Sequence, residues 1–492
     1  MLNKLKELTK DTAIYGISTM VGRFLNFILV PFFTNIFDPN EYGYVMLLYA
    51  YIGLFNIIFV YGLDSAFLKY AAFKEIGDEK DNFSTPYLSI LFTSVLFTFV
   101  IIFLKNPIGQ IINLPENYNY LIIYSVLIIF FDSNSSIPFL KLRLERKAKF
   151  FSLLKVLNIS INIAANFILI LKFRFGIEAI FISNLIASAL TLVFLLPTIV
   201  KNFRPKIHTL LYTKLLKFGL PYLPAGLAVM MVQVIDVPIL QSLTDVDTVG
   251  IYKANYKLGI FMMLFVSMFQ YAWQPFFLNN AKEENAKEIF SKVLTYFTIV
   301  GSFLVISLSL FISDLVKINF SGFYLLGEKY WSGIPIVPII LLGYFFNGLY
   351  VVFSAGIYIE EKSIFAPIVT GLGALVNVVV NLALIPSLNI IGAALATLAS
   401  YLVMSGGYYI VTQKYYHIHY EYSKIIKMFS AMFAIGLVLY SFLMDAENRI
   451  LIKLLLLIGY VIFVFLFVLD KRELQFIKTN LLKRKNARRD YD

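Results

Sequence analysis

Apolar residues recur along the chain in blocks of about 20, each closed by charged or turn-forming residues, the length a helix needs to cross a hydrocarbon core about 30 Å thick. The blocks fall near residues 12–36, 42–67, 83–104, 119–140, 151–171, 177–200, 215–241, 247–274, 293–312, 333–358, 363–385, 390–412, 425–443 and 450–469. Ser363 to Gln413 holds no charge and is too long for one span, so it divides at Pro386-Ser387-Leu388-Asn389 into a helical hairpin. The pattern predicts an all-α integral membrane protein of about 14 transmembrane helices.

The order of polar residues repeats. Pro31, Asp38 and Gly43 near the start recur at one constant offset as Pro238, Asp245 and Gly250. Asn162, Asn166 and Gly176 recur as Asn377, Asn381 and Gly392, the glycine shifted by one residue. Internal repeats of this kind are common in transporters. They predict two six-helix bundles related by pseudo-twofold symmetry, residues 1–205 and 206–415. Helices 13 and 14 (416–470) and a basic tail (471–492) follow.

Lysine and arginine orient the chain. With the N-terminus inside, Lys141, Arg143, Arg146, Lys147 and Lys149 share one cytoplasmic loop, Lys201, Arg204, Lys206 and Lys214 another, and Lys471 to Arg489 the tail. Both termini are therefore expected in the cytoplasm of a cell bounded by that membrane. The apolar run after Lys4, Lys6 and Lys10 reads as helix one rather than as a cleaved signal peptide, since it is long and carries Arg23, Asn26 and Pro31. Composition agrees: 59% of residues are hydrophobic and 15% charged, outside the soluble range. The net charge of +12 comes from residues flanking spans, which implies anionic lipid rather than nucleic acid as the partner. The chain has no cysteine, which excludes disulfides and thiolate chemistry.

Several of these pieces together resemble the polysaccharide and O-antigen flippases of the multidrug, oligosaccharidyl-lipid and polysaccharide exporter superfamily. They are Asp11-Thr12-Ala13-Ile14-Tyr15-Gly16 with Arg23, the Tyr42-Gly43 turn, Pro221, Gly250-Ile251-Tyr252 with Ala254, and Asn381 to Pro386 leading to Gly392-Ala393-Ala394-Leu395-Ala396-Thr397. The resemblance implies two bundles forming a V, with a central cavity for the sugar and pyrophosphate of an undecaprenyl-linked intermediate in a bacterial cytoplasmic membrane. It also implies the polysaccharide polymerase machinery as a partner.

Charges inside a span usually face a cavity or a partner, because one costs about 2.5–3.5 kcal/mol at mid-helix. Arg23, with Asn26 one turn on, and Lys253 and Lys257 at i and i+4 are the candidate anion-binding residues, a guanidinium or paired ammonium groups suiting a pyrophosphate. The alternative for Arg23 is an ion pair with Asp64 or Asp132, and for the lysines snorkelling to headgroups. Asp64 and Asp236 are candidates for sensing a coupling proton or cation, or for pairing with those cations. Asn26, Gln233, Asn162, Asn377, Tyr344 and Asn347 are candidate sugar contacts, buried amides serving also as helix-to-helix glue. Pro31 and Pro238 are expected bending points.

No catalytic, metal or cofactor motif stands out. His208, His417 and His419 lie in predicted loops without cysteine or an acidic constellation. Gly322 to Gly327-Glu328-Lys329 lacks the ending of a phosphate-binding loop. The expected function is a flippase with no cofactor. A cation-coupled multidrug or metabolite antiporter, a flippase for the peptidoglycan precursor, and a membrane glycosyltransferase or polymerase of the same pathway stand as alternatives.

Overall fold

The computed structural model describes residues 16, 20–22, 24, 25, 27–73, 76–443, 449–471 and 473–475. Arg23, Asn26 and the basic tail beyond Gln475 lie outside them. The described residues are almost all helical: α1 (Met20–Ile36), α2 (Pro39–Val60), α3 (Leu63–Phe73), α4 (Glu79–Phe103), α5 (Lys105–Ile111), α6 (Tyr120–Leu144), α7 (Ala148–Phe167), α8 (Glu178–Asn202), α9 (Thr209–Gly219), α10 (Tyr222–Val234), α11 (Asp236–Leu243) and α12 (Val246–Tyr256). These are followed by α13 (Ile260–Asn280), α14 (Ala286–Val316), α15 (Val337–Ile359), α16 (Phe365–Leu388), α17 (Ile390–Tyr415), α18 (Tyr422–Val438) and α19 (Ile450–Phe463). Among the described residues twelve helical runs are long and apolar enough to cross a membrane, or thirteen if the bent pair α9 and α10 is one span. The protein is a multi-pass membrane protein.

Two expected helices are broken. The span expected over 42–67 splits at Tyr61 and Gly62, both with positive φ (36° and 75°). The span expected over 215–241 becomes α9, α10 and α11, with a 42° bend between the first two, at Leu220–Pro221. The 42° bend is at Pro221. Pro238 is the third residue of α11 and, having no N–H, cannot donate to the Val234 carbonyl one turn back, which is where α10 ends and the second break, at Ile235, falls. The expected hairpin forms: α16 ends at Leu388 and α17 starts at Ile390 across Asn389, whose φ is 52°.

Glycine lets helices touch at two crossings. At one end of the bundle a Cβ on Gly43 would lie 2.0 Å from the Val246 carbonyl oxygen, and one on Gly250 would lie 2.0 Å from that of Pro39, so α2 and α12 meet backbone to backbone. At the other end a Cβ on Gly62 would lie 2.0 Å from the Gly219 carbonyl oxygen, bringing α3 onto α9. The first end carries a small antiparallel hairpin, β1 (Asn319–Phe320) and β2 (Phe323–Tyr324). It clasps the end of α1: Asn35 Nδ2 donates to the Tyr324 carbonyl (2.8 Å), and the Tyr324 N–H returns a bond to Asn35 Oδ1 (3.0 Å). Gly327 N–H donates to Thr34 Oγ1 (3.0 Å), Tyr330 OH donates to the Phe37 carbonyl (2.9 Å), and Lys329 pairs with Asp38. Gly250→Val should force α2 and α12 apart. A cysteine introduced at Met46, in this cysteine-free chain, is then expected to react with an impermeant maleimide added at that end; unchanged labelling would contradict the close crossing.

At the opposite end α14, α18 and the segment after α19 share an ionic cluster. Lys292 and Lys424 both bond Glu421 and Glu473, and Lys424 also bonds Asp470 (2.7 Å). Burial opposes ionisation of Glu473, but the Asp470 N–H (2.8 Å), Lys292 (3.0 Å) and Lys424 (3.1 Å) outweigh it and hold its carboxyl at about 2, below the ordinary 4.5. A depressed carboxylate stabilises fully above its unfolded value and loses that contribution as pH falls through the folded one. Spin labels on α14 and α19 should therefore keep their separation from pH 7 to about 4.5 and spread between there and about pH 2; spreading already near pH 6 would contradict this.

Candidate functional site

Between the two crossings lies a cavity of about 330 Å³. The segments α2 (Met46, Tyr49), α12 with the short turn after it (Lys253, Tyr256, Lys257) and α15 (Tyr344) line it, with apolar residues filling the rest. The cationic wall follows from helix geometry: Lys253 and Lys257, one turn apart, project from the same side of one helix.

The two lysines differ in partners. Lys253 is 9% exposed and reaches back from the cavity to Asp236, its ammonium 3.2 and 3.3 Å from the two carboxylate oxygens and 3.4 Å from the Gln233 carbonyl. Asp236 is 2% exposed, and Tyr252 OH donates to it at 2.6 Å. Such a charge pair persists in a span because each member neutralises the other. Lys257 has no carboxylate within 4 Å among the described residues; its ammonium lies 5.5 Å from the Tyr42 ring centre. Half-buried and facing the cavity, it presents donors that no side chain among the described residues takes up.

Of the other sequence candidates, Tyr344 lines the cavity, its hydroxyl 3.5 Å from that of Tyr256. The Gln233 side chain is exposed and is not part of the cavity lining, and its backbone carbonyl accepts from Lys253. Asn347 is half-buried on α15 outside the cavity lining. Asn166 Nδ2 donates to the Asn162 carbonyl (2.8 Å), and Asn381 Nδ2 donates to the Asn377 carbonyl (2.9 Å). The repeated asparagines thus make the same contact one turn back, and Asn377 and Asn381 are fully enclosed. Asp64 stands in the first turn of α3 beside the Gly62 crossing, its carboxylate on the Ser65 N–H (2.7 Å), apart from the cavity. Arg23 and Asn26 lie outside the described residues.

Residues missed by pattern reading include Tyr49, which accepts a bond from Asn184 Nδ2 (3.0 Å) at the cavity wall. A tyrosine in an apolar span carries no signal in a chain with 32 of them. Lys155, discussed below, was hidden by the basic loop just before it.

Residues 8–281, more than half of the chain, match the family described as "Polysaccharide biosynthesis protein". The chain belongs to this family. Its fold is that of a lipid II flippase, MurJ, in an inward closed conformation: TM-score 0.73 at 18% identity, over 92% of this chain and 98% of that one. It is also similar to a multidrug-resistance MATE transporter of the MOP superfamily in an inward-facing conformation (TM-score 0.63, 14% identity, 85% and 99% covered). A Vibrio cholerae MATE transporter shares the fold more distantly (TM-score 0.56, 12% identity, 84% and 96% covered). At these identities the likeness is one of fold. No curated protein sequence matches the chain.

Proposed function

We propose that this protein flips an undecaprenyl-pyrophosphate-linked oligosaccharide across a bacterial cytoplasmic membrane, for cell-surface polysaccharide synthesis such as O-antigen, capsule or exopolysaccharide. The observation that carries this reading is Lys257: an ammonium without an acidic partner among the described residues, in a cavity between two helix crossings, in a chain of the polysaccharide family. A lysine at this depth is costly unless an anion arrives to meet it, and a pyrophosphate supplies that anion.

The proposed architecture has fourteen spans in two six-helix bundles plus α18 and α19, both termini in the cytoplasm and the polysaccharide polymerase as a downstream partner. In the mechanism, substrate enters with the Gly62 crossing parted, its pyrophosphate engages Lys257 and Arg23 while Lys253 stays held on Asp236 behind them, and its polyprenyl tail stays in lipid. The bundles then rock until the Gly250 crossing parts instead. The measurement is transport of a fluorescent undecaprenyl-pyrophosphate oligosaccharide in proteoliposomes. Flipping supports the reading; no flipping of several such lipids, with gradient-driven efflux of a cationic dye, would replace it with a multidrug antiporter.

A further inference from the structure

Beyond Lys149 in its first turn, the helix α7 carries one charge, well inside the span, that neither the cavity nor the ionic clusters use. Its exposed residues are Lys149, Phe150, Leu153, Ser160, Ala164 and Phe167, and one more, Lys155. At about 100° per residue the first six fall on a single stripe, as a lipid-facing surface should, whereas Lys155 points roughly 160° away from Leu153. Its exposure is therefore to a space inside the protein. That space lies about 10 Å along the axis from the start of α7, deep enough that a charge needs a reason to be there.

The surroundings supply partial reasons only. The ammonium lies 4.3 Å from the Phe139 ring centre and 6.0 Å from that of Phe151. Asp132 on α6 is the carboxylate that faces it, but more than 4 Å away, and that carboxylate sits against the Ser188 hydroxyl. Among the described residues Lys155 has no ion pair and no hydrogen bond, so its three N–H donors are free. Asp132 also lies within electrostatic reach of Tyr49, which lines the central cavity. The link runs along α8: Asn184 bonds Tyr49 on the cavity wall (3.0 Å), and Ser188, one turn further on, bonds Asp132 beside Lys155.

We propose that Lys155 is a specificity-determining residue that binds an acidic sugar of the translocated glycan, so that the substrates are oligosaccharides bearing a carboxylate as well as their pyrophosphate. This rests on the flippase reading above. The pyrophosphate is tied to the lipid tail and belongs at Lys257, so a second anion reaching Lys155 belongs to the glycan. Two phenylalanine rings beside the ammonium suit the apolar face of a sugar ring, and the ammonium and Asp132 supply donors and acceptors for its carboxylate and hydroxyls.

The test compares two undecaprenyl-pyrophosphate oligosaccharides of equal length, one with a hexuronate and one with the corresponding neutral hexose, in proteoliposomes of the full chain. Lys155→Gln should slow the acidic substrate about tenfold or more and leave the neutral one within about twofold, a hydrogen-bonded charge contributing about 1.5–3 kcal/mol. Lys155→Arg, which keeps the charge, should restore the acidic substrate. Equal loss of both substrates, or an acidic substrate untouched by Lys155→Gln, would overturn the proposal and leave the flippase reading standing. A wild type that moves neither glycan would overturn both.

Discussion

Lys257→Ala should all but abolish flipping of pyrophosphate-linked oligosaccharides while the variant still inserts and folds. The side chain makes no ion pair with the described protein, so its removal breaks little of the fold. What it takes from the cavity is the ammonium that meets the phosphates. Each hydrogen bond to a charged group contributes about 1.5–3 kcal/mol, so losing two corresponds to about 100-fold or more in apparent affinity. Lys257→Arg should retain most activity, since a guanidinium suits phosphate at least as well. Initial rates in proteoliposomes with equal protein per vesicle decide the matter; a Lys257→Ala variant that transports normally would remove this residue from the site.

Lys253→Met should behave in the opposite way and show mainly as instability. It strands the Asp236 carboxylate, 2% exposed, with only the Tyr252 hydroxyl on it. Breaking a buried ion pair from one side costs about 3–5 kcal/mol, because a charge is left without its partner. The double variant Lys253→Met with Asp236→Leu should recover most of that loss. The pair's coupling then appears in a double-mutant cycle of thermal midpoints in detergent. If the double variant is no better than the single one, the two side chains do not depend on each other, contrary to the 3.2 Å contact.

The sequence is legible where the membrane imposes a rule. About 20 apolar residues per crossing is a demand of bilayer thickness, so the expected blocks lie close to the observed helices, and the α16–α17 hairpin turns where Pro386 to Asn389 said it would. The breaks were harder. Tyr61-Gly62 interrupts an apolar run without proline, both residues at positive φ, and the Gly219 backbone packed against it is far away in sequence. The proline breaks were only half legible: Pro238 follows an interruption at Ile235, as expected, but the 42° bend lies at Pro221, between two helices. At the site, pattern reading put Lys253 and Lys257 on one face. It had no means of telling which is paired, because Asp236 reaches Lys253 only through the packing of α11 on α12. Lys155 went unread for a similar reason: its neighbours Lys147 and Lys149 make it look interfacial until the lipid stripe of α7 is traced.

The glycines that bring helices together at both ends also set a lever length. Gly43 and Gly62 bracket α2, about 28 Å apart at 1.5 Å per residue. A tilt of about 20° about either contact would swing the far end by roughly 10 Å, wide enough for a sugar ring. Because the pivot at one end is the door at the other, a rigid tilt that opens one side presses the opposite backbones together, and a leak through both at once is sterically discouraged without any separate latch.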